Sequence, residues 1–267
     1  MNHKIFLFLL ICMPFFSLAQ SQNQTDDLGR KQGYWEKKSP KGKLIYAGTF
    51  QDNYPIGEMK RFHENGNLKA VLFFSNHGKF VRASLYNKSE ELTAKGNYIE
   101  SHKDSIWNYY DTKQRLRSSE TYQLEVKNGW SQYFFTNGNA SEKIEFKDGQ
   151  KHGLWTKYFE NGQIYLEAVY DQGKLNGGFQ IHYPNGIIEY GGKYIQNKKE
   201  GKWDYYSDKG DILLSVEYKN GIASNQEELD SLQQEKLKKM ESQKDLFMDP
   251  SDFLNDPDAY RQSQMRK

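Results

Sequence analysis

Apolar positions are distributed along this chain in three different ways. Ile5 to Phe16 is an almost unbroken apolar run. From Gly33 to Ala223 apolar residues, many of them rings, fall in short runs that alternate with polar residues and are cut by Gly at close intervals. Ser224 to Asp245 contains neither Gly nor Pro, and Leu229, Leu232, Leu237, Met240 and Phe247 lie on one broad helical stripe. The first stretch reads as a targeting segment, the second as many short strands joined by turns, and the third as a helix.

The middle stretch repeats. Trp35, Trp107, Trp130, Trp155 and Trp203 are separated by 72, 23, 25 and 48 residues, close to multiples of 24. Met59, Arg82 and Phe179 fill the missing places, which gives eight units. A second ring follows each of these anchors after fifteen residues, at Phe50, Phe74, Tyr122, Tyr170, Tyr194 and Tyr218. It follows after sixteen at Tyr98 and Phe146, each read as one inserted residue. Asn65-Gly66, Asn137-Gly138, Asn161-Gly162 and Asn185-Gly186 separate aromatic runs and predict type I′ hairpin turns, with both residues at φ > 0. In the clearest copy Trp155 to Phe159 is one strand, Gln163 to Tyr170 the next, and Asp171 to Asn176 a looser connection. The units between residues 80 and 127 are degenerate, with Arg82 at the anchor place and Gln114 at a turn Gly. Drift tolerated by neighbouring repeats explains this; a local site with its own shape is the alternative.

Gly153-Leu154-Trp155-Thr156-Lys157-Tyr158-Phe159-Glu160-Asn161-Gly162 resembles the MORN-repeat variant of YwqK-type bacterial antitoxin proteins, and Gly201-Lys202-Trp203-Asp204-Tyr205-Tyr206 resembles it again. The likeness covers roughly residues 33 to 221. It implies stacked antiparallel hairpins and no catalytic residues. The expected fold is therefore all-β: tandem antiparallel β-hairpin repeats forming an elongated single-layer sheet, followed by a C-terminal helix.

The ends complete the organisation. Lys4 precedes the apolar run, and Ser17 and Ala19 stand at −3 and −1 of a cut before Gln20, as a signal peptidase requires. Two alternatives remain, an N-terminal strand and a lipoprotein anchor at Cys12, although Ile11 is branched where an anchor site takes a small residue. Cleavage after Ala19 removes the single Cys, so the mature chain makes no disulfide. The expected boundaries are a signal peptide at 1–19, a flexible linker at 20–32, the repeat array at 33–223, a helix at 224–248 and a disordered tail at 249–267. Ser224 with Glu227 forms the expected capping box.

Composition sharpens the picture. Rings make up 15% of the 267 residues and all hydrophobic residues only 36%, so rings must supply much of the buried apolar area. The anchors Trp35, Trp107, Trp130, Trp155, Phe179 and Trp203 are expected to be that core. Alternation puts Tyr158 on the face opposite Trp155, and Tyr110, Tyr133 and Tyr206 are read at the same place. Those four tyrosines are the candidate binding face. The net charge of +2 gives no reason to expect nucleic acid. Residues 20–223 carry +4 and residues 224–267 carry −3. His63, His77, His102, His152 and His182 lack metal-ligand spacing, and Gly191-Gly192-Lys193 is not a phosphate loop. Glu64, Glu160 and Asp208 recur once per hairpin as turn residues rather than as a catalytic pair. No metal, cofactor or catalytic constellation is expected. The expected function is an exported, secreted or periplasmic scaffold for an unidentified protein partner. An immunity-type inhibitor of a toxin, or a glycan- or lipid-binding surface, are the other readings.

Overall fold

The computed structural model describes residues 22–242. The signal segment, the tail, Phe247 and the expected end of the helix lie outside the described residues. Contacts divide the chain after Lys127, and the two units are taken in turn.

The first unit holds β1 (Gln24–Thr25), β2 (Lys31–Lys38), β3 (Leu44–Gln51), β4 (Tyr54–Phe62), β5 (Leu68–Ser75), β6 (Phe80–Tyr86), β7 (Leu92–Ile99), β8 (His102–Tyr110) and β9 (Leu116–Gln123). Each strand pairs antiparallel with the next. The second holds β10 (Val126–Phe134), β11 (Ala140–Lys147), β12 (Gln150–Tyr158), β13 (Ile164–Asp171), β14 (Lys174–His182), β15 (Ile188–Ile195), β16 (Lys198–Tyr206), β17 (Ile212–Lys219), β18 (Ile222–Ala223) and α1 (Gln226–Ser242). Its strands pair in the same order. The fold is all-β, built of tandem antiparallel hairpins, with one helix after them. The stretch expected as a linker is instead paired: Gln24 and Thr25 oppose Gln32 and Lys31. Asp26 closes that turn by accepting from the Leu28 and Arg30 amides. The strand thus covers part of the β2 edge.

Strand register corrects the phase of the repeat. Trp35 opposes Gly48, Gly48 opposes Met59, Met59 opposes Leu72, and Leu72 opposes Ala83. In the second unit Ser131 opposes Ile144, Ile144 opposes Trp155, Trp155 opposes Ala168, and Ala168 opposes Phe179. The anchor row is therefore Trp35, Met59, Ala83 and Trp107, then Ser131, Trp155, Phe179 and Trp203. Every step is 24, without insertions. Arg82 and Trp130 belong to the opposite face, one residue out of phase. Trp130 is exposed, with the Lys143 ammonium 4.4 Å from its ring, whereas Ser131 is fully buried. A search for rings takes Trp130 because Ser131 supplies none.

The turns are also exchanged. At Asn65-Gly66 only Gly66 has φ > 0, at 96°, and its amide donates to the His63 carbonyl. This is a type I turn closed by a left-handed Gly, not a type I′ turn. The Asn side chain works differently: Asn65 Nδ2 donates to the Lys88 carbonyl of the next turn, 2.9 Å away. Asn137 reaches Glu160, and Asn185 reaches Asp208, in the same manner. The type I′ pairs lie between repeats, as at Asp52-Asn53 (φ 50° and 69°) and Gln172-Gly173 (φ 48° and 78°).

The degenerate third repeat has a local cause. Gly57 and Gly153 take φ of 62° and 64° where the ladder slips between Thr49 and Gly48, and between Glu145 and Ile144. Val81 stands at the same repeat position, and a β-branched residue resists that conformation. The β5–β6 ladder accordingly runs without a slip, and its connection lengthens to residues 76–79.

Helix α1 begins at Gln226, two residues later than expected, and its cap lies one residue beyond Ser224. Asn225 caps it: its carbonyl accepts from the Leu229 amide, and its side chain bonds Glu228. Leu229 is buried among Trp203, Tyr205, Val216 and Tyr218, with Leu232 packed beside them. Leu237 is exposed, so the stripe is narrower than the sequence suggested.

Candidate docking face

Three rows of side chains share the face that carries the anchors. The first is the anchor row. The second stands two residues further on, with Arg61, Leu85 and Tyr109 in the first unit and Ile181 and Tyr205 in the second. The third is the aromatic row Phe50, Phe74, Tyr98 and Tyr122, then Phe146, Tyr170, Tyr194 and Tyr218, also at steps of 24. Trp107 and Trp203 are fully buried. Each lies flat on a strand because its neighbour there is Gly: a Cβ on Gly96 would enter the Trp107 ring, and one on Gly192 would enter the Trp203 ring. Tyr98 and Tyr194 meet these two indoles edge-on, at centroid distances of 4.8 and 5.1 Å.

Lysines close the tops of these stacks. The Lys31 ammonium lies 4.8 Å from the Trp35 ring, Lys103 5.2 Å from Trp107, Lys151 4.9 Å from Trp155 and Lys199 4.2 Å from Trp203. Each contact is worth about 0.5–1 kcal/mol at such partly exposed sites, and the lysine stems shield the rings from water. Burial is the largest influence on Lys103 and lowers its pKa, but the hydrogen bond to the Tyr109 hydroxyl and the charge interactions with Tyr109, Glu125 and Tyr98 together outweigh it and hold the ammonium above its ordinary value. At Glu120 burial works upward, and bonds from Lys127, Tyr122 and Ser118 outweigh it, so its carboxyl stays ionised below the usual range.

The face is covered in one place and open in another. In the second unit α1 lies across it, and Lys236 Nζ meets Glu189 Oε1 at 2.7 Å. In the first unit there is an open groove of about 610 Å³ lined by Ala70, Leu72, Phe74, Val81, Leu85 and Tyr98. Leu72, Leu85 and Tyr98 of this lining pack on the buried cluster of Ala83, Ala94 and Trp107. Ala83 stands there at an anchor place with no ring to fill the space beside it. Arg61 and Lys69 stand on its rim, both exposed, and neither has an ion-pair partner among the described residues.

The tyrosine face expected from alternation is not assembled. Tyr110, Tyr158 and Tyr206 do share one repeat position, but all three are half-buried. Each sits at a slip in the ladder just before its turn, which breaks the alternation. Tyr133 belongs to the row of Tyr109 and Tyr205 instead. Among the anchors, Trp107 and Trp203 are fully buried, Trp35, Trp155 and Phe179 are half-buried, and Trp130 lies outside the row. The groove residues were missed; the signal for them was the small residue at the anchor place, visible once the strict period is applied.

Family comparison agrees with this register. A family described as the MORN repeat variant matches residues 55–76 and 151–172, two stretches in the same phase four periods apart. The chain carries MORN-variant repeats. Each matched unit begins at the start of a strand after a type I′ turn; residues 151–172 run to the next such turn, and residues 55–76 run to the lengthened connection at 76–79. No curated protein matches the chain. Among solved structures it is similar to TarM, at 13% identity over 35% of this chain and 20% of that one, with a TM-score of 0.27. A porin-like protein from Bacteroides uniformis matches at 10% identity over 71% of this chain and 91% of that one, with a TM-score of 0.19. The chain spans about a fifth of TarM, and at these TM-scores neither likeness carries an argument about the MORN-variant array.

Proposed function

We propose that this protein is an exported, non-enzymatic scaffold that holds a partner protein on the open aromatic face of its first unit. The observation that carries the reading is the groove beside Ala83, an apolar concavity rimmed by Arg61 and Lys69, cations with no ion-pair partner among the described residues. Apolar ground with a polar rim is the usual anatomy of a protein interface. Export rests on the run Ile5 to Phe16 with Ser17 and Ala19 after it. The sequence offers no acid, base and nucleophile in a catalytic arrangement. Inhibition of an exported toxin is a special case of this reading. A glycan or lipid surface is the second reading, favoured by the lysines stacked on rings.

The test is a cross-linked pull-down from envelope and secreted fractions, with the full chain and its Ala83→Trp variant as baits. One protein recovered near stoichiometry by the native chain and lost with Ala83→Trp is the expected result. Recovery that the variant leaves unchanged would move the docking site elsewhere. Recovery of no protein would overturn the scaffold, and glycan arrays and anionic vesicles at graded salt would then test the second reading.

A further inference from the structure

We infer that the groove of the first unit receives an acidic amphipathic helix of the partner protein, an inference that rests on the docking reading above. The strands beneath the groove, β4 to β8, are each paired on both sides. Their backbone donors and acceptors are therefore engaged, and no extended segment can add to them as a strand. An occupant of this apolar floor has to satisfy its own backbone, which is what a helix does.

The chain contains its own precedent. Helix α1 covers this same face in the second unit, over residues that stand five repeats, or 120 positions, after the groove residues. Trp203 there corresponds to Ala83 here, Tyr205 to Leu85 and Tyr190 to Ala70. Finer parallels hold as well: His63 Nε2 contacts the Tyr86 carbonyl, and the Tyr183 hydroxyl, 120 positions on, donates to the Tyr206 carbonyl. The open copy therefore has the same framework with a deeper floor. Helix α1 is held by Leu229 and Leu232 against the rows and by Lys236 against Glu189. These three helix residues stand at i, i+3 and i+7, on one face.

The polar contact is reversed in the open copy. Lys69 occupies the position of Glu189, and Arg61 occupies that of Ile181. A helix seated there needs leucine-type side chains at i and i+3 and a carboxylate at i+7. The rule also excludes α1 of a second copy, because its Lys236 would face Lys69.

The probe is a labelled peptide of residues 225–242 carrying Lys236→Glu, stapled on its exposed face because isolated helices of this length are marginal in water. Fluorescence anisotropy measures its binding to the full chain. Saturable binding is expected, with the unswapped peptide about tenfold weaker. Lys69→Glu should reverse that order, and Ala83→Trp should remove binding of the swapped peptide. Glu189 keeps the swapped peptide from competing for the seat of α1. Absence of saturable binding, or an order that Lys69→Glu does not change, would overturn the inference. If a partner is captured in the pull-down and lost with Ala83→Trp while the peptide fails to bind, the helix is wrong and the docking reading stands. Should Ala83→Trp fail to fold, as circular dichroism would reveal, Lys69→Glu decides alone.

Discussion

A side chain's role in this array depends on its place in the 24-residue period more than on its type. Gly96 shows this most clearly. It is the partner of Ala83 across the ladder, and its missing Cβ makes room for the Trp107 indole. Gly33, by contrast, has open space where a Cβ would go and only a left-handed φ of 69° to protect. Gly96→Ala should therefore lower unfolding stability by about 1–3 kcal/mol, as overpacking does, with loss of Trp107 near-ultraviolet dichroism. Gly33→Ala should cost about 1 kcal/mol and leave that signal intact. Urea unfolding of the two variants measures the difference, and equal costs would refute the close-packing account. Ala83 makes the same point from the other side. It is a small residue like any other, and only its place in a row of rings leaves space for a groove beside it.

At the scale of the hairpin, the sequence made the existence of the elements legible and concealed their joints. The ring kept in all eight units, the aromatic anchor read in six of them and the Gly spacing were enough for antiparallel hairpins in tandem, because a period-2 alternation of rings has few other solutions. The turns were read from Asn-Gly, a pair that fits two geometries. At Asn65, Asn137 and Asn185 the side-chain amide reaches the next turn, a contact 23 residues away that no local pattern displays. The type I′ turns hide in pairs such as Gln196-Asn197 and Leu124-Glu125, where residues other than Gly take φ > 0. The groove stayed hidden for a related reason: locating Ala83 and Ser131 requires a register fixed by their neighbours, not by rings of their own. The bridging role of Asn is testable. Asn185 Nδ2 donates to the Asp208 carbonyl at 2.8 Å, whereas Asn161 Nδ2 bonds only within its own turn, to Gln163. Asn185→Ala should cost about 1 kcal/mol and raise amide exchange at the turn around Asp208. Asn161→Ala should leave the neighbouring turn protected. Matching exchange in both variants would remove the bridge.

Taken over the whole molecule, the rows of rings couple stability to pH in one direction. Burial raises the pKa of Tyr98, Tyr170, Tyr190 and Tyr194. At Tyr205 burial comes first and the hydrogen bond with Tyr218 adds to it; at Tyr122 burial is joined by bonds to Tyr109 and Glu120. An unfolded chain releases these phenolic protons near pH ~10. The folded chain holds them beyond that point. Above pH ~10 the unfolded state therefore binds fewer protons than the folded one, and stability must fall as pH rises. Below that pH the contribution is complete and the profile is flat with respect to tyrosine. Several tyrosines act together in each unit, so the loss should be steep. Urea midpoints measured from pH 8 to pH 11 should stay level and then drop, while tyrosinate absorbance of the folded chain lags behind that of the urea-unfolded chain. Folded and unfolded chains that titrate together, with no fall in the midpoint, would mean that the phenols are solvated and that the rings do not form the core assigned to them. The same titration bears on the lysines over the rings. A Lys103→Met variant keeps the stem over Trp107 and removes the charge beside Tyr98, which lowers that phenol's pKa, so its tyrosinate signal should appear at still higher pH.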